Sequence, residues 1–338
     1  MTDKPVTSVD VARKAGVSQS AVSRYFTPGA SVSKKMAERI REAAEELGYR
    51  PNVLARSLIT GKSRIIGLVV HYFENQLYPD LVERLSIALQ DEGYHVLLFM
   101  AQRTVGDVED VVQRILDYRV DALVLVSVSL SSTLAERCVG LSIPVMLFNR
   151  DQPGSGLRSV TSDNHTGGWM AAKVLLEAQP KRIALLRGFE NASTDRDRVS
   201  GFTEALAEAG AEIALTEAGD YHYDTAREAA RRIFDRPDRP DALFVPDDHM
   251  AFAALDVIRY EFGLSVPDDV AVVGFDDVPA AAWPSFDLTT LRQDRRAMVA
   301  QAVSSLMAAL ARKEEGPRQV MLPVELVRRG STRALSQD

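Results

Sequence analysis

Residues 7–26 read TSVDVARKAGVSQSAVSRYF, and this stretch decides the fold of the first part of the chain. Thr7 is placed to cap a helix whose third residue is Asp10. Four apolar residues are spaced to share one face of that helix: Val9, Val11, Ala12 and Ala15. Gly16 interrupts the pattern, so the sequence predicts a helix that ends in a tight turn.

A second short helix is predicted after the turn. Ser18 is placed as its N-cap, with three inward residues: Ala21, Val22 and Tyr25. Its outward residues are polar: Gln19, Ser20, Ser23 and Arg24. A polar helix directly after a glycine turn is typical of a helix-turn-helix, whose second helix places its first residues against base edges in the major groove. Paired short helices of this kind also occur in proteins that bind no DNA.

Gln19 and Ser20 are the predicted base readers because they begin the second helix. Glutamine can bridge N6 and N7 of adenine, whereas serine tolerates several bases. Arg24 suits either a guanine or a phosphate. We expect three further residues to complete the DNA contacts of this unit: Thr7, Ser18 and Ser23.

The next residues complete a three-helix core. Ser33 is placed to cap the helix KKMAERIREAAEEL, and Gly48 is placed to end it. Its inward residues recur at helical spacing: Met36, Ile40, Ala43, Ala44 and Leu47. Residues 1–64 contain 12 Lys and Arg against 6 Asp and Glu, which gives a net charge of +6. Because the whole chain has a net charge of −7, the remaining residues have a net charge of −13. A basic first part can neutralise phosphates, while an acidic remainder stays off DNA.

The motifs D-V-A-x-x-A-G-V-S, V-S-R and L-G-Y-x-P-N-x-x-A-R-S-L resemble the LacI/GalR family of transcription factors. The resemblance implies that residues 52–59 form a hinge helix that orders on DNA, with Leu58 wedged into the minor groove. It places three further contacts beside this wedge: Asn52, Ala55 and Arg56. Leu54 and Leu58 would alternatively be the packed face of a linker helix, although so short a helix is unstable alone.

From Arg64 onward, apolar runs such as IIGLVV, HVLLFM and IPVMLF alternate with amphipathic segments, including a poorly defined helix near Leu134. A second round includes a helix near residues 203–209, and residues 294–313 form one long helix. This alternation predicts an α/β body of two doubly wound lobes, which resembles the periplasmic-binding-protein fold. The predicted parts are the helix-turn-helix head at 1–51, the hinge at 52–63 and an effector-binding, dimerising body at 64–338.

The family resemblance implies that the chain crosses between lobes three times, near Ser162, Thr290 and Val320. The first lobe then comprises about 64–162 and 291–319, and the second about 163–290 and 320–332. Family members hold an effector in the cleft between their lobes. In open parallel sheets, such a cleft lies at the carboxyl ends of the strands.

Seven residues are predicted to bind the effector. Asp276 follows the strand VAVVGF and matches a ligand contact of the family. Arg198, in STDRDRVSGF, also matches a family position, and its planar guanidinium suits vicinal hydroxyls or a carboxylate. Asp247 stands where many relatives have Asn. Tyr78 and Tyr221 match aromatic wall positions. Ser127 and Asn149 complete the set, and Trp283 and Asp163 are weaker candidates. Arg198 and Asp276 would alternatively form an inter-lobe salt bridge, and the two tyrosines would alternatively be core residues.

Other chemistry finds little support in the sequence. Cys138 is the single cysteine, the five histidines lack metal spacing, and nucleophile elbows and glycine-rich phosphate loops are absent. We therefore expect no catalytic residue, no metal, no cofactor and no enzymatic activity. The chain has no apolar run long enough to cross a bilayer and its N-terminus has no apolar signal segment, so we expect a cytoplasmic protein that does not bind membranes.

These observations favour a ligand-responsive transcriptional regulator, most simply a repressor. It would bind a palindromic double-stranded DNA operator as a homodimer and a sugar or sugar derivative in its cleft. A dimer is expected because the tail after Gly330 has no heptad repeat. The alternative is a cytoplasmic solute or sugar sensor without regulated DNA binding, which would have no use for a basic head.

Overall fold

A computed structural model describes residues 6–27, 30–50, 62–71, 73–101, 107–128, 136–138, 140–313 and 316–333, with the backbone alone at 107–109. The chain divides into two compact units, Met1–Ser63 and Arg64–Asp338. The division falls where the sequence predicts the body to begin. The predicted hinge contacts Asn52, Ala55, Arg56 and Leu58, and the predicted helix near Leu134, lie outside the described residues.

The first unit contains three helices, α1 (Ser8–Ala15), α2 (Gln19–Tyr25) and α3 (Lys34–Leu47). Their shared core consists of small and branched residues: Val11, Ala12, Ala15, Ala21, Val22, Ile40, Ala43 and Ala44. Val9 does not join this core and is 44% exposed. It lies in the first turn of α1, about 200° around the helix axis from Val11, so the prediction that both share a face is wrong.

The predicted turn between α1 and α2 is present. The Asp10 carboxylate accepts hydrogen bonds from the Thr7 backbone N–H at 3.0 Å and the Thr7 hydroxyl at 2.7 Å. Gly16 ends α1 with a φ of +64°, in the left-handed region that glycine adopts without strain. The Ser18 hydroxyl then accepts from the Ala21 N–H at 3.2 Å and starts α2. These caps fix the direction in which α2 leaves the turn.

The first lobe of the body begins with alternating strands and helices. In chain order these are β1 (Ile65–Val70), α4 (Leu77–Asp91), β2 (His95–Met100), α5 (Asp107–Asp117), β3 (Ala122–Val126), β4 (Val145–Phe148) and β5 (Arg158–Ser162). The strands are parallel, and β1, β3 and β4 are almost wholly buried. Continuous apolar strands are expected where helices cover both faces of a parallel sheet.

The second lobe repeats this plan. Its elements are α6 (Asn164–Leu176), β6 (Ile183–Arg187), α7 (Ser193–Glu208), β7 (Ile213–Ala218), α8 (Tyr223–Phe234), β8 (Ala242–Phe244), α9 (Asp248–Asp256), β9 (Ala271–Asp276) and β10 (Thr289–Gln293). Helix α7 begins ten residues before the predicted start near Thr203. Polar residues fill the buried face of its first turns, which hides the amphipathic pattern in the sequence.

The last elements are α10 (Arg295–Leu310), β11 (Gln319–Leu322) and β12 (Val324–Val327). The first sheet has the order β11-β5-β4-β3-β1-β2, and the second has the order β12-β10-β9-β8-β6-β7. Helix α10 packs on strands of the first sheet, β11 is parallel to β5, and β12 is antiparallel to β10. The two lobes are therefore built from interleaved stretches of chain.

Two of the three predicted crossings need correction. The chain leaves the first sheet after Ser162, as predicted, but it returns after Gln293 and leaves again at Pro323. Thr290 pairs with Val327 inside the second sheet, and Val320 pairs with Val160 inside the first. The predicted segment 291–319 therefore begins and ends about three residues too early, and the predicted segment 320–332 begins about three residues too early. Strands β10 and β11 each stay hydrogen-bonded within their sheet up to their last residues, and the chain crosses only after them.

Candidate functional site

The outward face of α2 is polar and exposed. Gln19, Ser20, Ser23 and Arg24 are all exposed, which leaves their side chains accessible to a DNA groove. The Gln19 side-chain amide donates to the Ser8 hydroxyl at 3.2 Å, and the Ser18 and Ser20 hydroxyls are 2.9 Å apart. These bonds are between surface groups, so exchanging them for bonds to base edges costs little. Thr7 is also exposed and stays a predicted contact.

The body contains a cavity of about 230 Å³ between its two lobes. The first lobe contributes Tyr78, Ser127 and Arg150, and the second contributes Phe189, Tyr221 and His222. Ser127, Arg150 and Tyr221 follow the carboxyl ends of β3, β4 and β7. This is the location at which open parallel sheets bind their ligands. Tyr78 and Tyr221 line the cavity and also pack on the apolar core, so their role in effector binding stays a prediction.

Positive φ angles occur at several of these strand ends. Ser127 and Asn149 both have a φ of +56°, and Tyr221 has a φ of +64°. The Asn149 side-chain amide donates to the Ser127 hydroxyl at 3.1 Å, so Asn149 supports a cavity-lining residue. Left-handed backbone is uncommon outside glycine, although asparagine adopts it more readily than most residues. The same conformation occurs away from the cavity, at Arg64, Arg119 and Arg312 among others, so it does not by itself identify a binding site.

Arg198 is buried within a set of second-lobe residues and is not among the described residues that line the cavity. Its Nε donates to the Asn164 side-chain oxygen at 2.8 Å, and its Nη1 donates to the Pro246 carbonyl at 2.6 Å. Its Nη2 lies 3.6 Å from the Asp276 carboxylate, and the guanidinium stacks 3.6 Å from the centre of the Phe275 ring. All of these partners belong to the second lobe, so the alternative of an inter-lobe salt bridge is wrong.

Asp276 and Asp247 are buried carboxylates with perturbed acidity. Asp276 accepts from the Gln293 side-chain amide at 2.5 Å, and Asp247 accepts from the Met250 N–H at 2.9 Å as the N-cap of α9. Burial raises the pKa of Asp247 to about 6 and that of Asp276 to about 7, because the charged forms lose hydration. Carboxylates near the midpoint of titration can accept or donate hydrogen bonds, which suits the hydroxyl groups of a ligand.

Several direct hydrogen bonds join the two lobes, including one from the Ala280 N–H to the Gln76 side-chain oxygen and two from Arg295 Nη1 to the Asp276 and Asp277 carbonyls. Three others involve the loops after β1 and β4. The Asn75 side-chain amide donates to the Asp247 carboxylate at 2.7 Å. The Arg150 Nη1 donates to the Thr194 hydroxyl at 3.1 Å. The Asp151 N–H donates to the Ser193 hydroxyl, also at 3.1 Å. Asp247 therefore binds a group from the opposite lobe, and a ligand that replaces Asn75 would change how the lobes are held together.

Asn75 and Arg150 were not among the predicted site residues. Arg150 comes two residues after β4, and Asn75 lies in the loop after β1. The rule that places ligand contacts after parallel strands, which identified Asp276, would have identified both.

Two weaker candidates have other positions. Asp163 caps α6 by accepting from the Thr166 N–H at 3.0 Å and the Thr166 hydroxyl at 2.7 Å. Trp283 is 52% exposed after a short 3₁₀ turn. The structure thus gives Asp163 a capping role and does not place Trp283 against the cavity.

Asp248 follows Asp247 directly but lies in separate hydrogen bonds. It accepts from the Thr290 hydroxyl at 2.6 Å and the Val278 N–H at 3.0 Å. Over the described ranges, no cluster of three or more His, Cys, Asp or Glu side chains is arranged to hold a metal ion. No helix in the same ranges is sufficiently long and apolar to span a bilayer.

The raised pKa of Asp247 gives a testable pH dependence. Between its ordinary pKa of 3.8 and about 6, the folded chain holds a proton that the unfolded chain has lost. Its contribution to stability is fully present below the lower pH and disappears as the pH rises through about 6. We expect the stability of the wild type, measured against Asp247→Asn, to fall by up to about 3 kcal/mol between pH 4 and 7.

Urea unfolding of both proteins at several pH values measures this difference. The comparison removes the opposite contribution of Asp277, whose pKa is lowered by its ion pairs with Arg292 and Arg329. A pH-independent difference would show that Asp247 ionises in the folded chain as it does in water.

Comparison with known proteins agrees with this architecture. Residues 8–52 match the family model "Bacterial regulatory proteins, lacI family", and residues 172–332 match "Periplasmic binding protein-like domain". A helix-turn-helix head followed by a two-lobed periplasmic-binding-protein-like body defines the class. The HTH-type transcriptional repressor PurR of Photobacterium profundum is 30% identical over 330 residues, covering 97% of this chain and 98% of that protein. The chain belongs to the LacI family, and the predicted resemblance and fold class are confirmed.

Solved structures show the same arrangement. The Lac repressor dimer bound to operator and the anti-inducer ONPF is 27% identical with a TM-score of 0.88, covering 98% of this chain and 100% of that one. The complex of the transcriptional regulator CelR with cellobiose is 30% identical with a TM-score of 0.73, covering 96% and 99%.

Proposed function

We propose that this protein is a transcriptional repressor that binds a palindromic operator as a homodimer and responds to a sugar-like effector in its inter-lobe cleft. The observation that carries the proposal is the presence in one chain of an exposed polar α2 and a cavity between two lobes. Relatives solved with operator DNA and with cellobiose support both halves of it. The proposal involves no catalytic step or cofactor and places the protein in the cytoplasm, where operator DNA lies.

Three groups of residues have distinct roles in this proposal. Thr7, Ser18, Gln19, Ser20, Ser23 and Arg24 contact the operator half-site. The hinge residues Asn52, Ala55, Arg56 and Leu58 act at its centre. Tyr78, Ser127, Asn149, Arg198, Tyr221, Asp247 and Asp276 bind or support the effector.

The cleft is suited to regulation because some of the bonds between its lobes come from loops at the carboxyl ends of the strands. Asn75 and Arg150 each donate one hydrogen bond across it, to Asp247 and Thr194. An effector that competes for these groups favours a different angle between the lobes. The proposal requires that this angle alters hinge formation, so that both sites bias one two-state element.

Selection of DNA from a random pool tests the proposal. The full-length protein is incubated with the pool at one stated, near-physiological salt concentration, because affinity for DNA depends strongly on salt. We expect enrichment of a palindrome whose half-sites lie about one helical turn apart. Failure to enrich any sequence, with and without a panel of sugars, would favour the alternative of a solute sensor without regulated DNA binding.

Replacement of Gln19 by Ala should change sequence preference at a single position. Gln19 begins α2 and is exposed, so we expect a loss of about 1–3 kcal/mol confined to one base pair of each half-site. Fluorescence anisotropy with operators substituted one base pair at a time measures this loss, and the unaffected positions act as internal controls. A uniform loss at all sequences would identify Gln19 as a phosphate contact.

A further inference from the structure

We propose that the effector is a polyhydroxylated anion of monosaccharide size, whose single carboxylate or phosphate binds Arg150. The inference rests on the proposed function, because it concerns the ligand of the same cleft. It names a residue that sequence analysis did not select and a chemical class that the family membership leaves open.

Arg150 is a buried cation without a counterion. In the described parts of the chain, two arginines retain 5% exposure or less, Arg150 and Arg198. Arg198 has the Asp276 carboxylate at 3.6 Å. Arg150 has no described carboxylate within 4.0 Å, and its hydrogen bonds go to neutral acceptors, the Ser127 carbonyl at 3.2 Å and the Thr194 hydroxyl at 3.1 Å. Its Nη2 forms no hydrogen bond with the described residues.

An uncompensated buried guanidinium is unfavourable, and arginine cannot escape the cost by losing its proton. Some other buried ionisable groups in this body have an oppositely charged partner, whereas Asp247 and Asp248 have neutral hydrogen-bond donors and raised pKa values. Asp195 is paired with Arg187 at 2.7 Å, and Asp277 is paired with both Arg292 and Arg329 at 2.6 Å. Unlike a buried aspartate, Arg150 cannot become neutral, and it lies on the wall of a cavity without an ion pair to any described residue.

The planar guanidinium donates two parallel hydrogen bonds to a carboxylate or a phosphate, and such charge-assisted bonds are strong. The groups around Arg150 fit the rest of such a ligand. Tyr78, Tyr221 and Phe189 offer apolar faces to its C–H groups. Asp220 also lines the cavity, but it is exposed and forms no ion pair with Arg150 within 4.0 Å.

Histidines flank the same wall. His71 from the first lobe and His222 from the second have ring centres 6.3 Å apart, and both line the cavity. Burial, His222 and Arg150 lower the pKa of His71, so its ring is neutral at pH 7 and offers hydrogen bonds without adding charge. Arg150 is the arginine on this wall, and its charge does not depend on pH in the physiological range.

The single buried arginine on the cavity wall fits a ligand with one anionic group. Asp247 and Asp276 are buried and are not among the described residues that line the cavity. A cavity of about 230 Å³ is smaller than the roughly 300–1,000 Å³ typical of drug-sized ligands, so a single sugar ring fits better than a larger molecule.

Calorimetric titration of the full-length protein with matched pairs tests this inference. The pairs are glucose with glucuronate, galactose with galacturonate, and glucose with glucose 6-phosphate. We expect at least one acidic member to bind at least about tenfold more tightly than its neutral partner. Arg150→Gln should abolish that preference, and Arg150→Lys should retain part of it because the charge remains while the planar fork is lost. Arg236→Gln, an exposed arginine of the second lobe, is the matched control.

Operator binding and unfolding temperature are measured on the same preparations. The unfolding temperature should be preserved in Arg150→Gln, because the substitution removes a buried charge that forms no ion pair with the described residues. Its operator binding is expected to change, because the hydrogen bond from Arg150 to Thr194 of the other lobe is altered. Neutral members that bind as tightly as the acids, acids that all fail to bind, or an equal loss of both members in Arg150→Gln would each overturn the inference. If operator binding responds only to neutral sugars, the inference about the anionic effector is overturned and the proposed function is not. If the protein shows no sequence-specific DNA binding, the proposed function is overturned.

Discussion

Replacement of Arg198 by Ala should lower the free energy of unfolding of the body by about 3–5 kcal/mol and abolish the response to effector. The side chain is 2% exposed and holds three second-lobe groups: Asn164, Pro246 and Asp276. Its removal leaves the Asn164 and Pro246 oxygens without these donors and Asp276 without its nearest cation. Loss of Arg198 further disfavours the charged form of Asp276, whose pKa is already raised to about 7, and this is expected to be the main source of the cost.

Urea denaturation and calorimetry measure the two consequences. Arg196→Ala is the matched control, because Arg196 lies on the same helix and forms an ion pair with Asp197 at the surface. The Arg196 side chain is 53% exposed. We expect that control to change stability by less than about 1 kcal/mol. If loss of charge compensation is the cause, Asp276→Asn in the Arg198→Ala background should recover part of the lost stability. No recovery would show that packing on the Phe275 ring is the larger contribution.

Replacement of Gly201 by Ala should destabilise the second lobe by about 3 kcal/mol, at the upper end of overpacking costs. Helices α6 and α7 cross so closely that a Cβ on Gly201 would lie 1.9 Å from the His165 carbonyl oxygen. A Cβ on Gly168 would lie 1.9 Å from the Arg198 carbonyl oxygen. Both obstacles are backbone atoms, so side-chain rotation cannot relieve them and the helices must separate.

The two glycine substitutions should differ in function. Gly168→Ala acts on the backbone of Arg198 itself, so it should weaken effector binding more than Gly201→Ala at equal loss of stability. Thermal unfolding and calorimetry distinguish these effects. Gly140→Ala is the control, because its added Cβ meets nothing within 4 Å and its φ is not positive. A stable Gly201→Ala protein would mean that the helix crossing can widen without cost.

The features that the sequence predicts correctly depend on residues that are close together in the chain. The caps at Ser18 and Ser33 and the glycine ends of α1 and α3 depend on residues within a few positions of each other. Asp276 was found because it follows an apolar strand. The hinge and the role of Leu58 stay predictions, since they lie outside the described residues.

The features that were missed depend on distant parts of the chain. Asn75 meets Asp247 only when the two lobes are in place, and 172 positions separate them in sequence. The early start of α7 was missed because Ser193, Thr194 and Asp195 are buried despite being polar. Their burial depends on partners from other elements, which hydrophobic periodicity does not record.

The interleaved connections have a consequence for building hybrid proteins. Exchange of one lobe with a relative requires three junctions, near Ser162, Gln293 and Pro323, and each must reproduce the same path between sheets. Exchange of the first 63 residues requires one junction. The body is therefore easier to exchange between relatives as a whole than one lobe at a time. A hybrid that combines this body with the first 63 residues of a relative would respond to the same ligand at a different set of promoters.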